Sequence, residues 1–275
     1  MLYFCYNQIL SSDVNSNMKI LALDTSSNAC SVALLEGSSQ DFSCIERFEI
    51  APRQHTQLIL PMIDSVLQEA GYDIKEIDVL AFAHGPGAFT GVRVATGVVQ
   101  AISYGADLPV ASISSLAALA QGYSKTLYSK RKQANKVLVA SDARMNEIYF
   151  GAYEMYPKGT SFGAHQGFMT LTDKEYVIKP EQLQSTLNEL DLDKSWQLTG
   201  NGWSVYKEQL YAVSEQCAPL PYSADMMLKL SYPEAKYIGF LAFKEIANNT
   251  LLKAEQISPV YLRNNVAKKS NKQVF

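Results

Sequence analysis

Apolar positions alternate with polar ones in two distinct rhythms along this chain, and the rhythm changes at regular intervals. From Lys19 to Asp24 the run Ile20-Leu21-Ala22-Leu23 is apolar almost without interruption, which predicts a strand buried on both faces. Thr25-Ser26-Ser27-Asn28 reads as a turn, Cys30 to Leu35 as the returning arm of a hairpin, and Phe42 to Ile50 as a third strand. The rhythm then becomes helical. Leu58, Ile59, Met62, Ile63, Val66 and Leu67 fall on one side of a helix running from Thr56 to Ala70, and Gly71 ends it. A strand at Val79–Ala83, a helix at Thr90–Tyr104, a strand at Pro109–Ile113 and a helix from Ser115 to Tyr123 complete the first half. The hairpin supplies antiparallel pairs, and helix-linked strands are expected to run parallel with right-handed crossovers.

A Lys/Arg/Gln-rich stretch from Lys125 to Lys136 precedes a second set of elements. Val137–Ala140 and Glu147–Tyr153 read as hairpin arms, Pro180–Leu190 as a helix with proline in its first turn, and Trp196–Thr199 as a strand closed by Gly200-Asn201-Gly202. Tyr237 to Asn248 reads as a long final helix, and residues 155–176 have no regular pattern. The second half thus partly echoes the first. We expect an upstream extension at 1–17, disordered, an N-terminal α/β lobe at 18–126 and a C-terminal α/β lobe at 127–275 ending in a basic tail (Lys268, Lys269, Lys272).

The junction Gly85-Pro86-Gly87-Ala88-Phe89-Thr90-Gly91-Val92-Arg93 follows a strand and opens a helix. Glycines there permit a sharp turn and close approach to a neighbour, and a helix start behind them attracts anions. The spacing is Gly-x-Gly-x-x-x-Gly, without the dinucleotide fingerprint or a Lys-Ser/Thr phosphate loop, so the motif reads as a tight strand-to-helix turn.

Composition narrows the function classes. The 275 residues are 47% hydrophobic and 19% charged, enough for a well-buried core, and a net charge of -3 argues against a generally basic nucleic-acid surface. Cys5, Cys30, Cys44 and Cys217, and the histidines His55, His84 and His165, lack zinc-ligand spacing; buried, reduced thiols in a cytoplasmic protein without metal or cofactor are expected. No run reaches the ~18 apolar residues of a membrane span, and the start lacks the charged region and cleavage site of a signal peptide.

Four segments in order carry a family resemblance: Lys19-Ile20-Leu21-Ala22-Leu23-Asp24-Thr25-Ser26, His55-Thr56-Gln57-Leu58-Ile59-Leu60-Pro61, the glycine junction, and Pro259-Val260-Tyr261-Leu262-Arg263. Together they resemble the TsaB (YeaZ) family, whose members serve as dimerisation subunits in making threonylcarbamoyladenosine at position 37 of tRNAs. The resemblance implies a duplicated, two-lobed actin/hexokinase/Hsp70-like fold with mixed sheets flanked by helices. It implies a non-catalytic scaffold that stabilises a TsaD-like catalytic subunit, helps recruit a TsaE-like ATPase, meets tRNA only through the complex, and pairs two helices either with that subunit or with another copy of this chain as a homodimer. In the catalytic cousin a His-x-x-x-His metal motif follows the glycine helix; here Ser115 and Leu119 stand at the matching positions, and neither replaces imidazole.

Two sets of residues are singled out. The Thr56–Ala70 helix carries more apolar surface than one core face needs, widened by Leu60 and bearing Pro61, while Gly97, Ala101 and Gly105 give the Thr90–Tyr104 helix a small-residue stripe. Leu58, Pro61, Met62, Gly91, Arg93, Val94, Gly97, Val98 and Ala101 are therefore the expected partner interface. Asp24, Thr25, Gly200 and Gly202 are candidate weak nucleotide contacts, against a plainer reading as turn residues, because no glycine after Asp24 brings amides to a phosphate. No nucleophile or orienting carboxylate accompanies His55 in the sequence, and no protease motif is present. The rival enzyme reading is a weak ATPase or small-molecule kinase of the same fold.

Overall fold

The computed structural model describes residues 17–128, 135–155, 167–187, 190–218 and 230–263. Its first sheet is built from β1 (Met18–Asp24), β2 (Ala29–Gly37), β3 (Phe42–Ile50), β4 (Val79–Gly85) and β5 (Val110–Ser114), in the order β3-β2-β1-β4-β5. The β1–β2 and β2–β3 pairs are antiparallel; β4 lies parallel to β1, and β5 to β4. Helix α1 (His55–Ala70) links β3 towards β4, α2 (Phe89–Ala106) links β4 to β5, and α3 (Ser115–Tyr128) follows β5. Gly71 ends α1 at a φ of 74°, the left-handed conformation that makes it the natural stop.

The second sheet repeats the plan with five strands again, three of them short. Strands β6 (Lys136–Arg144) and β7 (Glu147–Met155) form an antiparallel hairpin, three-residue strands β8 (Met169–Leu171) and β9 (Tyr176–Ile178) pair with β7, and β10 (Trp196–Thr199) lies parallel to β6. Around it are the short helices α4 (Leu183–Thr186), α5 (Gly202–Val205) and α6 (Tyr211–Ser214), and α7 (Ala235–Ala247) follows. This is the duplicated mixed α/β fold implied by the resemblance. The stretch Pro180–Leu190 is not one helix: Pro180–Gln182 is a 3-10 turn, and α4 is a single turn after it. Residues 155–176, without pattern in the sequence, contribute β8.

Five layers result. One face of the first sheet packs on α1 and α2 through Leu21, Phe82, Ile59, Ile63, Ala95 and Val99. Its other face packs on α7 through Ile20, Ala22, Leu35, Ile238 and Leu241. Helix α3 turns Leu116, Leu119 and Tyr123 towards Val137, Val139 and Tyr153 of the second sheet, whose far face meets α4 to α6 around Trp196 and Trp203. The α3 and α7 helices touch where Gly122 faces the Tyr237 ring. A side chain at Gly239 would collide with Leu35, so α7 sits directly on the first sheet. The upstream extension to residue 16, Cys5, His165 and the tail lysines lie outside the described residues. Cys30 and Cys217 are buried free thiols as expected, whereas Cys44, on edge strand β3, is exposed.

Candidate functional site: the cleft between the lobes and the face of two helices

The lobes meet at a cleft of about 100 Å³ formed by the β1–β2 turn (Ser26, Asn28), the β4–α2 junction (Pro86, Gly87), the start of α3 and the end of β6 (Ser141, Asp142). The glycine junction explains the shape of this cleft. A Cβ at Gly87 would stand 2.2 Å from the Ser26 carbonyl oxygen, and one at Gly91 would stand 1.9 Å from that of Thr25. The Ala88 amide donates to the Ser26 carbonyl at 2.7 Å. Thr25 seals the contact, its hydroxyl donating to the Gly91 carbonyl at 2.6 Å and accepting from the Ala95 amide at 3.1 Å. These glycines bring one protein turn onto another. The Ala88 amide that could have met an anion at the helix start is already bonded.

Asp24 and Thr25 are fully buried beneath this contact. One Asp24 oxygen accepts the Ser26 amide at 3.0 Å, and the other is buried without a hydrogen-bond partner among the described residues. Burial, the largest influence, pushes the Asp24 carboxyl from 3.8 up to about 7 against the pull of Ser26. Gly200 and Gly202 do the same work in the second lobe: added Cβ atoms would stand 2.2 Å and 2.9 Å from the Ala140 carbonyl oxygen. None of the four candidate nucleotide residues lines the cleft; their neighbours Ser26 and Asn201 do.

Ser115 and Leu119 both line the cleft, Ser115 donating its hydroxyl to the Pro86 carbonyl and Leu119 buried. Among the described residues no group of three or more His, Cys, Asp or Glu could hold a metal ion. His55 sits at the start of α1 with Nε2 3.2 Å from the Ala29 carbonyl. His84 has Nδ1 2.8 Å from the Ser112 hydroxyl, and burial lowers it to about 4, which keeps the ring neutral.

The expected interface residues divide. Gly91 and Met62 face inward, Gly91 against Thr25 and Met62 in the core under α1, so neither is surface available to a partner. Leu58, Val94 and Val98 are half-buried at the seam of α1 and α2, while Pro61, Arg93, Gly97 and Ala101 are exposed. Gly97 and Gly105 face open space, with nothing within 4 Å of an added Cβ. Tyr104, on the same side of α2, is 84% exposed, and Leu60 of α1 is 53% exposed. At the start of α2, the Arg93 guanidinium lies 3.6 Å over the Phe89 ring and bonds the Tyr261 hydroxyl at 2.7 Å.

Tyr261 belongs to a C-terminal strap that the sequence motif alone did not place. Leu252 bridges to Val110, and the Val260 amide donates to the His84 carbonyl at 2.9 Å. Arg263 then reaches the second lobe, pairing with Glu147 and donating to the Ala143 carbonyl at 3.2 Å. The motif Pro259–Arg263 thereby crosses from one lobe to the other.

The chain matches the family model of TsaD, described as tRNA N6-adenosine threonylcarbamoyltransferase, over residues 48–270. It is 39% identical over 251 residues to the tRNA threonylcarbamoyladenosine biosynthesis protein TsaB of Haemophilus influenzae, covering 91% of this chain and 95% of that one. The TsaB protein of Escherichia coli is 35% identical over 254 residues, covering 91% and 96%. Among solved structures, YeaZ from Pseudomonas aeruginosa superposes with a TM-score of 0.70 at 35% identity, over 89% of this chain and 100% of that chain. On this agreement of sequence along nearly its whole length and of structure, the chain belongs to the TsaB (YeaZ) family.

Proposed function

We propose that this chain is a non-catalytic scaffold subunit in the biosynthesis of threonylcarbamoyladenosine in tRNA. In this reading it stabilises a TsaD-like catalytic subunit, helps form the docking surface of a TsaE-like ATPase, and meets tRNA only through the complex. The relatives' names support the pathway. The open face of α2 carries the scaffold reading: Gly97 and Gly105 with nothing in front of them, and the exposed Tyr104 next to them. Such a face lets a partner helix approach closely, and a specific contact needs about 800 Å² on each side. The same face would hold a second copy when the catalytic partner is absent. The internally bonded glycine junction supports a subunit that does not itself cradle a nucleotide, in preference to a weak ATPase or small-molecule kinase.

The test is Gly97→Leu. Nothing lies within 4 Å of an added Cβ there, so the variant is expected to fold normally by circular dichroism and melting. Its bulk should hold a partner helix away, abolishing co-elution with the TsaD-like subunit and the tRNA modification that depends on it. Normal folding with unchanged co-elution would place the interface elsewhere and end this reading.

A further inference from the structure

A second cavity, of about 160 Å³, opens where edge strand β5 and α7 meet strands β7 and β8. It shares no lining residue with the interlobe cleft. Three charged residues stand on its wall, Glu175, Lys244 and Glu245, and the Glu245 carboxylate already accepts the Thr250 hydroxyl. The Glu175 carboxylate accepts hydroxyl hydrogens from both Ser114 and Tyr153 on one oxygen, Oε1, and the other oxygen has no hydrogen bond among the described residues. Lys244 Nζ reaches the Thr170 hydroxyl at 3.3 Å and forms no ion pair among the described residues. Glu175 is likewise unpaired. Half-buried charges without counter-ions are costly. Burial pushes Glu175 up and, against the attraction of the Glu245 charge, Lys244 down, each towards its neutral form.

We infer that this cavity binds a small free α-amino acid, its carboxylate on Lys244 and its ammonium on Glu175. Such a zwitterion supplies a directly bonded ion pair to both Lys244 and Glu175, which neither has among the described residues. The Ser114 and Tyr153 hydroxyls fix the Glu175 carboxyl on one oxygen and leave the other for the incoming ammonium. Ile113, Leu171 and Leu241 give the remaining wall an apolar character suited to a short side chain. The space is of the order that holds benzene in an engineered protein cavity, about 150 Å³, and so admits glycine, serine or threonine. This inference does not depend on the scaffold reading.

Calorimetric titration of the full chain tests it with glycine, L-serine and L-threonine, and with two capped probes, N-acetyl-L-serine and L-serinamide. Saturable binding is expected for at least one free amino acid, with each capped probe weaker by about ten- to a hundredfold, the loss that a charged hydrogen bond implies. Lys244→Met should erase the preference for L-serine over L-serinamide while keeping that over N-acetyl-L-serine, and Glu175→Gln should do the reverse. This exchange of selectivity separates recognition from mere loss of fold. No saturable binding of any free amino acid to the folded wild-type chain overturns the inference, as do equal affinities for free and capped serine.

Discussion

The two lobes contain the same junction, used to different ends. In each, a strand parallel to the first strand of its sheet turns through glycines into a helix, β4 into α2 and β10 into α5. In each, those glycines press backbone against backbone, on Thr25 and Ser26 in the first lobe and on Ala140 in the second. The first junction launches an 18-residue helix with an open small-residue face, the second a single turn of four residues capped by the Trp203 core. The acids beside the two junctions differ as well. Asp24 is sealed in with one oxygen unpartnered among the described residues, whereas Asp142 accepts from Tyr206 and from the Arg144 amide and pairs with the Arg144 side chain. A shared turn geometry therefore does not specify a shared role. What the turn is packed against, and how long a helix it starts, decide what the surface can offer.

The largest expected effect is at the junction itself. Gly91→Ala places a Cβ 1.9 Å from the Thr25 carbonyl and should cost about 3 kcal/mol or more, because the obstacle is backbone and cannot rotate away. Gly200→Ala, with φ at +95° and the Ala140 carbonyl 2.2 Å away, should cost as much. Chemical denaturation of both variants checks whether the lobes are equally intolerant. A near-native midpoint for either would break the parallel.

Asp24→Asn comes next and runs in the opposite direction. An acid raised from 3.8 to about 7 by burial holds its proton more tightly folded than unfolded. Its contribution is fully favourable below about pH 4, is lost as pH rises towards 7, and leaves a buried charge above that. The uncharged asparagine should therefore stabilise the protein at pH 8, by at most about 4 kcal/mol, and flatten the stability profile between pH 4 and 7. Denaturant midpoints across that range for both proteins measure it. A wild-type profile already flat there would show that Asp24 titrates normally.

A smaller loss is expected where the lobes are tied. Arg263→Ala removes the pair with Glu147 and the bond to Ala143 and should cost about 1–3 kcal/mol, with greater proteolytic susceptibility after Tyr261. Smallest of all is Gly97→Ala. An exposed helical glycine facing open space should gain about 0.5–1 kcal/mol on replacement by alanine. Thermal melting reads both, and a destabilised Gly97→Ala would mean that α2 is not the free surface described.

Most of this architecture was legible because its elements are long. Strand β1, the α1 periodicity ending at Gly71, and the β4–α2 junction each repeat a pattern often enough to identify themselves. Strands β8 and β9 have three residues each and no period to find. Pro180–Leu190 looked like one helix because its proline and leucines suit a helix, but the run yields a 3-10 turn and a single helical turn. The interface set was harder to read, since a helical period fixes which residues share a stripe but not which neighbour covers it. Met62 and Leu58 belong to one stripe, yet Met62 goes into the core and Leu58 to the seam. Gly91 looked like part of the α2 small-residue surface and is instead held by Thr25. Glu175 and Lys244, about 70 positions apart in sequence and on different elements, had no local signal at all.

Helix α7 has a consequence for how the protein is made. The first sheet is complete once β5 ends at Ser114, yet one of its two apolar faces is covered by residues 235–247. Emerging from a ribosome, that face waits for roughly 120 further residues, on the order of ten seconds of synthesis at the usual rate of about 5–20 residues per second. Ile20, Ala22 and Leu35, which pack on that helix, stay without it throughout. Truncation before Ala235 should accordingly give a chain that holds its hairpins but sticks to chaperones or to itself, and the vulnerable stage of this protein's life is its translation.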